Sequence, residues 1–364
     1  MSTLMTLADK PPARPADEPA AGFLGLAERA LVPDALIRLG IRRLCARRLR
    51  DEAAGGPEAQ ETRLQQRLAL LREGALALHT EAANLQHYEL PPEFFQHCLG
   101  PRLKYSCAYY PDGGTTLAQA EEAMLELYGE RAGLADGQAI LELGCGWGSL
   151  TLWMAARYPR ARILAVSNSA AQRAFIEARC RDEGHFNVQV VTMDVNRLAL
   201  PAGEFDRCVS VEMFEHMRNY ETLLARIAGW LKPEGKLFVH VFAHRTRLYL
   251  FETQGADNWM GRHFFTGGLM PAADTLLWFS RDLVCERRWL IDGRHYARTA
   301  NDWLRQQDAN RDRLREILTA TYGPAGARLW QQRWRMFWMA CAETFGYREG
   351  SEWLVAHYLL ARAP

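Results

Sequence analysis

No two of the eight cysteines stand in a Cys-x-x-Cys pair; they are scattered at positions 45, 98, 107, 145, 180, 208, 285 and 341. That scatter argues against a disulfide framework and against a zinc site, and fits a reducing cytoplasm. No apolar run reaches the roughly 18 residues of a membrane span. The first residues carry proline, alanine and acid without an apolar core, so secretion is not indicated. The formal net charge is only +1, which gives no sign of a nucleic-acid partner. No internal repeat is visible. What is present is ample core material: 48% of the 364 residues are hydrophobic, enough for one large domain or a core domain with additions.

Residues 1–20, with Pro11, Pro12, Pro15 and Pro19, read as a disordered tail. A helical extension is expected over 21–130. Its first stretch, Gly22 to Asp51, should break at Pro33 and continue as a basic amphipathic helix. That helix sets Leu36, Leu39, Ile41 and Leu44 against Arg38, Arg42, Arg43, Arg47, Arg48 and Arg50. It reads either as a helix packed on the main domain with a solvated arginine face or as a peripheral attachment to an anionic membrane. Another helical run is expected over Ala59 to Leu78.

From about Gly137 the pattern alternates. Strands are predicted at 139–143, 162–167, 188–194, 205–213 and 236–243, and helices at 149–158, 170–183 and 219–231. Short apolar runs alternating with helices predict an α/β fold, a parallel sheet wound on both faces, over 131–245. Ligands of such sheets sit at the carboxyl ends of the strands. Residues 246–364 read as a substrate lid rich in aromatics, followed by helices and the last strands, with Leu283 to Ile291 and Trp353 to Leu360 extended.

The first predicted strand runs into Glu142-Leu-Gly144-Cys-Gly146-Trp-Gly148. Glycines at this spacing let the backbone turn sharply and approach a ligand closely, and the amides of the next helix suit an electron-rich group. The spacing is not the dinucleotide Gly-x-Gly-x-x-Gly. At the end of the second strand Asn168 and Gln172 could bind a ribose diol in place of the usual acid, while Ser169 caps the helix. Asp194 could accept from an adenine amino group or cap a turn.

Glu212, Glu215 and His216 lie within five residues at the end of the fourth strand. Two nearby carboxylates raise each other's pKa, and such a cluster can take a proton from an amine. The bland alternative is a strand-end Glu beside a surface Glu–His pair. Upstream, Tyr105 and Tyr109 could face a cation through their rings, and Ser106 and the Tyr105 hydroxyl could bind a carboxylate. They could equally be core aromatics.

Several of these segments together carry a resemblance. They are Tyr-Glu-Leu-Pro (88–91), Leu-Lys-Tyr-Ser-Cys (103–107), the run 116–128, Glu-Leu-Gly-Cys-Gly-Trp-Gly, Ser-Asn-Ser-Ala-Ala-Gln, Glu-Met-Phe-Glu-His-Met-Arg-Asn-Tyr (212–220) and Phe-Gly-Tyr-Arg-Glu-Gly-Ser-Glu-Trp (345–353). The chain resembles the cyclopropane-fatty-acid synthase-like methyltransferases, and within them the coclaurine N-methyltransferase branch. The resemblance implies a Rossmann-like class I methyltransferase sheet with a helical N-terminal extension and an inserted substrate lid. It implies S-adenosylmethionine as cofactor, held by Tyr105, Ser106, Glu142, Gly144, Gly146, Asn168, Gln172, Asp194 and Val195.

In the amine-methylating branch the positions of Glu212, Glu215 and His216 are associated with amine recognition and deprotonation. The lipid-modifying branch usually has Gly at 212 and builds a bicarbonate site from Cys, Glu, His and Tyr. Cys107, Glu215 and His240 match three of these, but no tyrosine stands near Met336-Phe337. Cys341 matches a cysteine sometimes labelled as the active residue, although its helical apolar setting suits a packed cysteine.

The expected activity is therefore N-methylation of a small hydrophobic or aromatic amine, with lid aromatics such as Trp259 and Trp338 against the substrate. Methyl or methylene transfer to unsaturated acyl chains, and a non-catalytic cofactor-binding scaffold, are the rivals. The expected partner is a small-molecule amine, with no metal and no nucleic acid; a peripheral membrane contact and a homodimer stay open.

Overall fold

Local signals place the helices. In the computed structural model, which describes residues 19–20, 22–77, 90–253 and 258–363, Pro33 separates α1 (Gly22–Glu28) from α2 (Asp34–Ala53). Gly55, at φ 81°, turns the chain into α3 (Gly56–Leu70), whose first turn holds Pro57 where no amide donor is needed. After α4 (Pro92–Cys98), α5 (Leu117–Ala132) opens on a reciprocal cap: Thr116 accepts from the Gln119 amide and the Gln119 side chain accepts from the Thr116 amide. Gly133 closes it at φ 61°. Residues 1–18, His87, Tyr88 and Glu89 lie outside the described residues, so the tail expectation and part of the 88–91 segment are not addressed.

The sheet follows the predicted alternation. Its strands are β1 (Ala139–Leu143), β2 (Arg162–Ser167), β3 (Val188–Thr192), β4 (Phe205–Val211) and β5 (Leu231–His244). Between them run α6 (Ser149–Arg157), α7 (Ala170–Glu183) and α8 (Tyr220–Trp230). The chain then leaves the sheet through a two-stranded ribbon, β6 (Tyr249–Leu250) with β7 (Leu269–Met270), and a short helix α9 (Trp259–His263). It returns as β8 (Leu283–Ile291) and leaves again through α10 (Gly293–Ala309) and α11 (Arg311–Phe345). Last, β9 (Trp353–Arg362) inserts between β5 and β8.

The order is β3-β2-β1-β4-β5-β9-β8, with β9 antiparallel to both neighbours and the other pairs parallel. This is the class I methyltransferase sheet. Successive residues alternate between the two faces: Ile140, Val209 and Phe238 join one apolar cluster, while Leu141, Cys208 and Leu237 join the other.

Two strands end earlier than predicted. β3 stops at Thr192 and β4 at Val211, so Asp194 and Glu212 sit in the turns beyond. Both carboxylates accept from nearby donors there. The face of α2 also differs from expectation. Leu36, Leu39 and Leu44 are exposed, while Arg38 and Arg42 reach Glu343 of α11 at 2.8 and 2.5 Å. Arg48 lies 4.9 Å from the centre of the Tyr249 ring. Ile37, Ile41, Cys45 and Leu49 form the apolar stripe that packs on the core, and the ion pairs flank it. Among the described residues, no helix is long and apolar enough to cross a membrane.

Candidate active site

The carboxyl ends of β1, β2 and β4 open into one cleft. All of Tyr105, Ser106, Glu142, Gly144, Gly146, Asn168, Gln172, Asp194 and Val195 line it. Gly144 and Gly146 have φ of 81° and 52°, conformations an L side chain resists. No other atom lies within 4 Å of where a Gly146 Cβ would stand, so the backbone there is open to a ligand. Ser167 Oγ donates to Gln172 Oε1 at 2.7 Å, which turns the amide nitrogen, Nε2, into a buried donor with no partner. Ser149 Oγ, at the start of α6, and Trp147 Nε1 are likewise buried and unpaired in the cleft wall. Three idle polar groups around an open glycine turn fit a polar ligand of adenosylmethionine size, because each would otherwise cost its full desolvation.

Glu142 is buried beneath that turn. Burial pushes its pKa up to about 8, against the Thr151 hydroxyl that donates to it at 2.5 Å. It is therefore a neutral acid near pH 7. Asp194 caps its own turn, accepting from the Asn196 amide and side chain at 2.8 and 3.0 Å, while still lining the cleft. The turn-capping reading of that residue is the one the contacts show.

A second cavity lies behind the first, beneath the lid. Tyr105, Glu212 and His216 border both. Its walls are Phe242, Phe251, Phe265, Tyr296, Trp303 and Phe337, with Cys341 among them. Trp259 and Trp338 do not line it. Trp259 donates to the buried Glu28, which pairs with Arg333, and Trp338 donates to Gln307. Indole N–H groups need a buried acceptor, and these two found theirs away from the cavity. Tyr109 borders neither cavity; it stacks on His295 at 4.5 Å.

Glu212 is the centre of the arrangement. Its φ of 48° is left-handed, which costs a non-glycine residue on the order of 1 kcal/mol or more. Its Oε1 accepts from the Cys107 amide at 3.0 Å and from His240 Nε2 at 3.1 Å; its Oε2 accepts from the Tyr296 hydroxyl at 2.7 Å. Burial raises its pKa, and the Lys104 charge and these donors oppose the rise.

Glu215 differs from expectation. It lines neither cavity, turns under β5, and its Oε1 accepts from the Phe242 amide at 2.7 Å. Burial, then the Glu212 charge, push it well above the carboxylate range, and its other oxygen has no partner. With three donors against one, Glu212 carries the charge of the pair. His216 stacks on Phe265, and burial lowers it to about 4, so it is a neutral imidazole. Burial likewise drives the Cys341 thiol up, which favours the neutral thiol over the thiolate.

Sequence reasoning gave no role to Lys104, although it stands inside the quoted 103–107 segment. It is buried and donates to Ser106 Oγ, the Cys107 carbonyl and the Tyr128 hydroxyl at 2.5, 2.7 and 2.8 Å. The tyrosine sought near 336 comes instead from Tyr296, 84 residues beyond Glu212, and no local pattern announces it.

A glycine turn on this sheet, with idle donors around it and a second cavity at its end, defines a class I S-adenosylmethionine-dependent methyltransferase. Comparison with known proteins agrees and narrows the class. Residues 77–352 match the family described as mycolic acid cyclopropane synthetase, and the chain belongs to that family. It is 38% identical to (S)-coclaurine N-methyltransferase of Thalictrum flavum subsp. glaucum, over 92% of this chain and 94% of that one. It is 33% identical to cyclopropane-fatty-acyl-phospholipid synthase of Escherichia coli (strain K12), over 60% of this chain and 54% of that one. A crystal structure of coclaurine N-methyltransferase bound to N-methylheliamine and S-adenosylhomocysteine superposes with a TM-score of 0.89, at 37% identity, covering 92% of this chain and 97% of that one.

Proposed function

We propose that the chain N-methylates a small hydrophobic or aromatic amine. The observation that carries this is the junction of the two cavities: an aromatic-walled chamber whose mouth holds a single charged carboxylate, Glu212. An apolar amine is recognised by burying its rings against Phe251, Phe265 and Phe337 and by pairing its nitrogen with that carboxylate. When bound, S-adenosylmethionine supplies an electrophilic methyl on a sulfonium.

The protein's part is to make the nitrogen nucleophilic and to aim it. Glu212 accepts the ammonium proton and frees the lone pair, and the neutral His216 beside it is a second acceptor. The lid walls exclude water and hold the nitrogen in line with the methyl. Tyr105, bordering both cavities, turns its ring toward the cation. Asn168, Gln172, Asp194 and Val195 hold the nucleoside, and Ser106 and the Gly144–Gly146 turn hold the amino-acid end.

The lipid-modifying reading is weakened by the same geometry. The Cys107 amide, His240 and Tyr296 already converge on a carboxylate that belongs to the chain, so the place where an external bicarbonate would act is filled. The eight free cysteines suit a reducing cytoplasm. The engagement of Arg38, Arg42 and Arg48 with protein carboxylates leaves less of α2 for anionic lipid, and the exposed Leu36, Leu39 and Leu44 are the patch through which two copies would pair. Sedimentation with and without anionic vesicles reads both points.

The test of the activity is a screen with labelled S-adenosylmethionine across aromatic amines, aliphatic amines and unsaturated phospholipids. On the amine that reacts, Glu212→Gln is expected to lose about 100-fold or more in turnover, the scale of a general base, with cofactor affinity unchanged. Full activity of that variant at every pH would overturn the proton-acceptor role.

A further inference from the structure

Behind Glu212 runs a buried chain of side chains that the proposed reaction does not use. His240 Nε2 meets Glu212; His240 Nδ1 meets His357 Nε2 at 2.8 Å; His357 Nδ1 meets Arg131 NH1 at 2.8 Å. A branch joins at His240 Nδ1, where the Tyr128 hydroxyl lies at 2.9 Å and itself accepts from Lys104. Arg131, in the last turn of α5, is half-buried and borders neither cavity.

Each branch ends on a group that can only donate. A guanidinium has no acceptor, so His357 Nδ1 must carry the lone pair and its Nε2 the hydrogen. That hydrogen points at His240 Nδ1, which must then accept. On the other branch the Tyr128 hydroxyl accepts from the Lys104 ammonium, and its own hydrogen shares with His357 the one lone pair of that nitrogen. Both branches leave the His240 hydrogen on Nε2, aimed at Glu212 Oε1. The reverse direction would set two hydrogens against each other at Arg131. For the same reason the chain cannot carry a proton outward through Arg131.

We propose that Arg131 and His357 are positioning residues that fix the tautomer of His240, so that Glu212 always receives an N–H and stays an anionic acceptor. This rests on the role given to Glu212 above. The groups facing that carboxylate are Lys104 and Cys107 from the segment before α5, Tyr128 from α5, Glu215 and His216 from the turn after β4, His240 from β5, Tyr296 from α10 and Cys341 from α11. Lys104 is the one cation among them. Burial holds both chain histidines neutral, as a fixed tautomer requires.

The direct test is the ring-nitrogen NMR of the whole protein with labelled histidine. His240 and His357 are both expected as neutral Nε2–H tautomers at pH 7; an Nδ1–H or a doubly protonated ring at either position overturns the proposal. This readout needs no substrate, so it stands apart from any failure of the amine reading.

The second test compares His357→Phe with His357→Gln. The amide of the Gln variant can accept from Arg131 and donate to His240, so it preserves the direction; Phe cannot, yet leaves the Arg131 charge in place. His357→Phe is expected to lose roughly tenfold in kcat, the scale of one hydrogen bond to a charged group, with KM for S-adenosylmethionine within about twofold. Its acid limb should move up by about one pH unit, because Glu212 then binds a proton more readily. His357→Gln should restore both. Equal behaviour of the two variants overturns the positioning role, and should His357→Phe fail to fold, the tautomers of the parent protein still decide.

Discussion

At the scale of single residues, Glu212 combines an unfavourable backbone with a fully engaged carboxylate. A glycine would relax the φ of 48° but strand the three donors of the carboxylate, so Glu212→Gly should lower the melting temperature modestly while removing activity. The variant leaves those donors, the Cys107 amide, His240 and Tyr296, around an empty space. Millimolar formate is therefore expected to restore part of the turnover, and a flat formate titration would show that the carboxylate does not act from that place. Glu142 gives a different signature. Its folded pKa, about 8, exceeds the ordinary 4.5, so the folded chain holds a proton that the unfolded chain has released. Between those values stability falls as pH rises. Glu142→Gln, which imitates the neutral acid, should lack this fall; the gap between its melting temperature and the parent's should widen from pH 5 to 8 and then level off.

At the scale of elements, the helices around the sheet are joined to it by charge as much as by apolar contact. Glu343 of α11 receives both Arg38 and Arg42 of α2, and Arg335 pairs with Asp34 at the start of α2 at 2.7 Å. Because Arg42 is nearly half exposed, solvent weakens its share. Glu343→Ala is expected to cost roughly 1 kcal/mol, read as a lower urea midpoint with an unchanged slope. Glu343→Gln should cost less. The strands and helices of the sheet were legible because each signal is local: alternation, Thr116 and Ser169 caps, Gly133 and Gly184 stops. The ion-pair partner of α2 was not legible, since Glu343 lies some 300 residues away in the chain.

At the scale of the molecule, residues 249–251, 260–270 and 296–345 of two excursions from the sheet close the second cavity together with Tyr105, Glu212, His216 and Phe242. The same packing hides the thiols. Seven of the eight cysteines are buried and Cys285 is partly exposed. A thiol reagent should label about one site quickly in the native protein and eight after denaturation. Rapid labelling of several thiols would mean that the excursions open readily, which would conflict with a water-excluding chamber.

The alternation of strands and helices along the chain, the glycine turn and the Glu212-Met-Phe-Glu215-His216 cluster are consequences of sequence alone, because each depends on residues a few positions apart. Which member of the cluster faces the cavities was decided by the tertiary structure. Glu212 and Glu215 stand three residues apart in the chain, yet one lies in a left-handed turn facing both cavities and the other is folded under β5. The walls of the second cavity were equally hidden, with Trp259 and Trp338 turned to other acceptors while Phe251, Phe265 and Phe337 took their place. So was the path from Arg131 to His240, whose members are separated by more than a hundred residues and meet only because β9 inserts beside β5. Hydrogen-bond partners of buried groups are settled by which strands lie side by side, and no local pattern of residues carries that information.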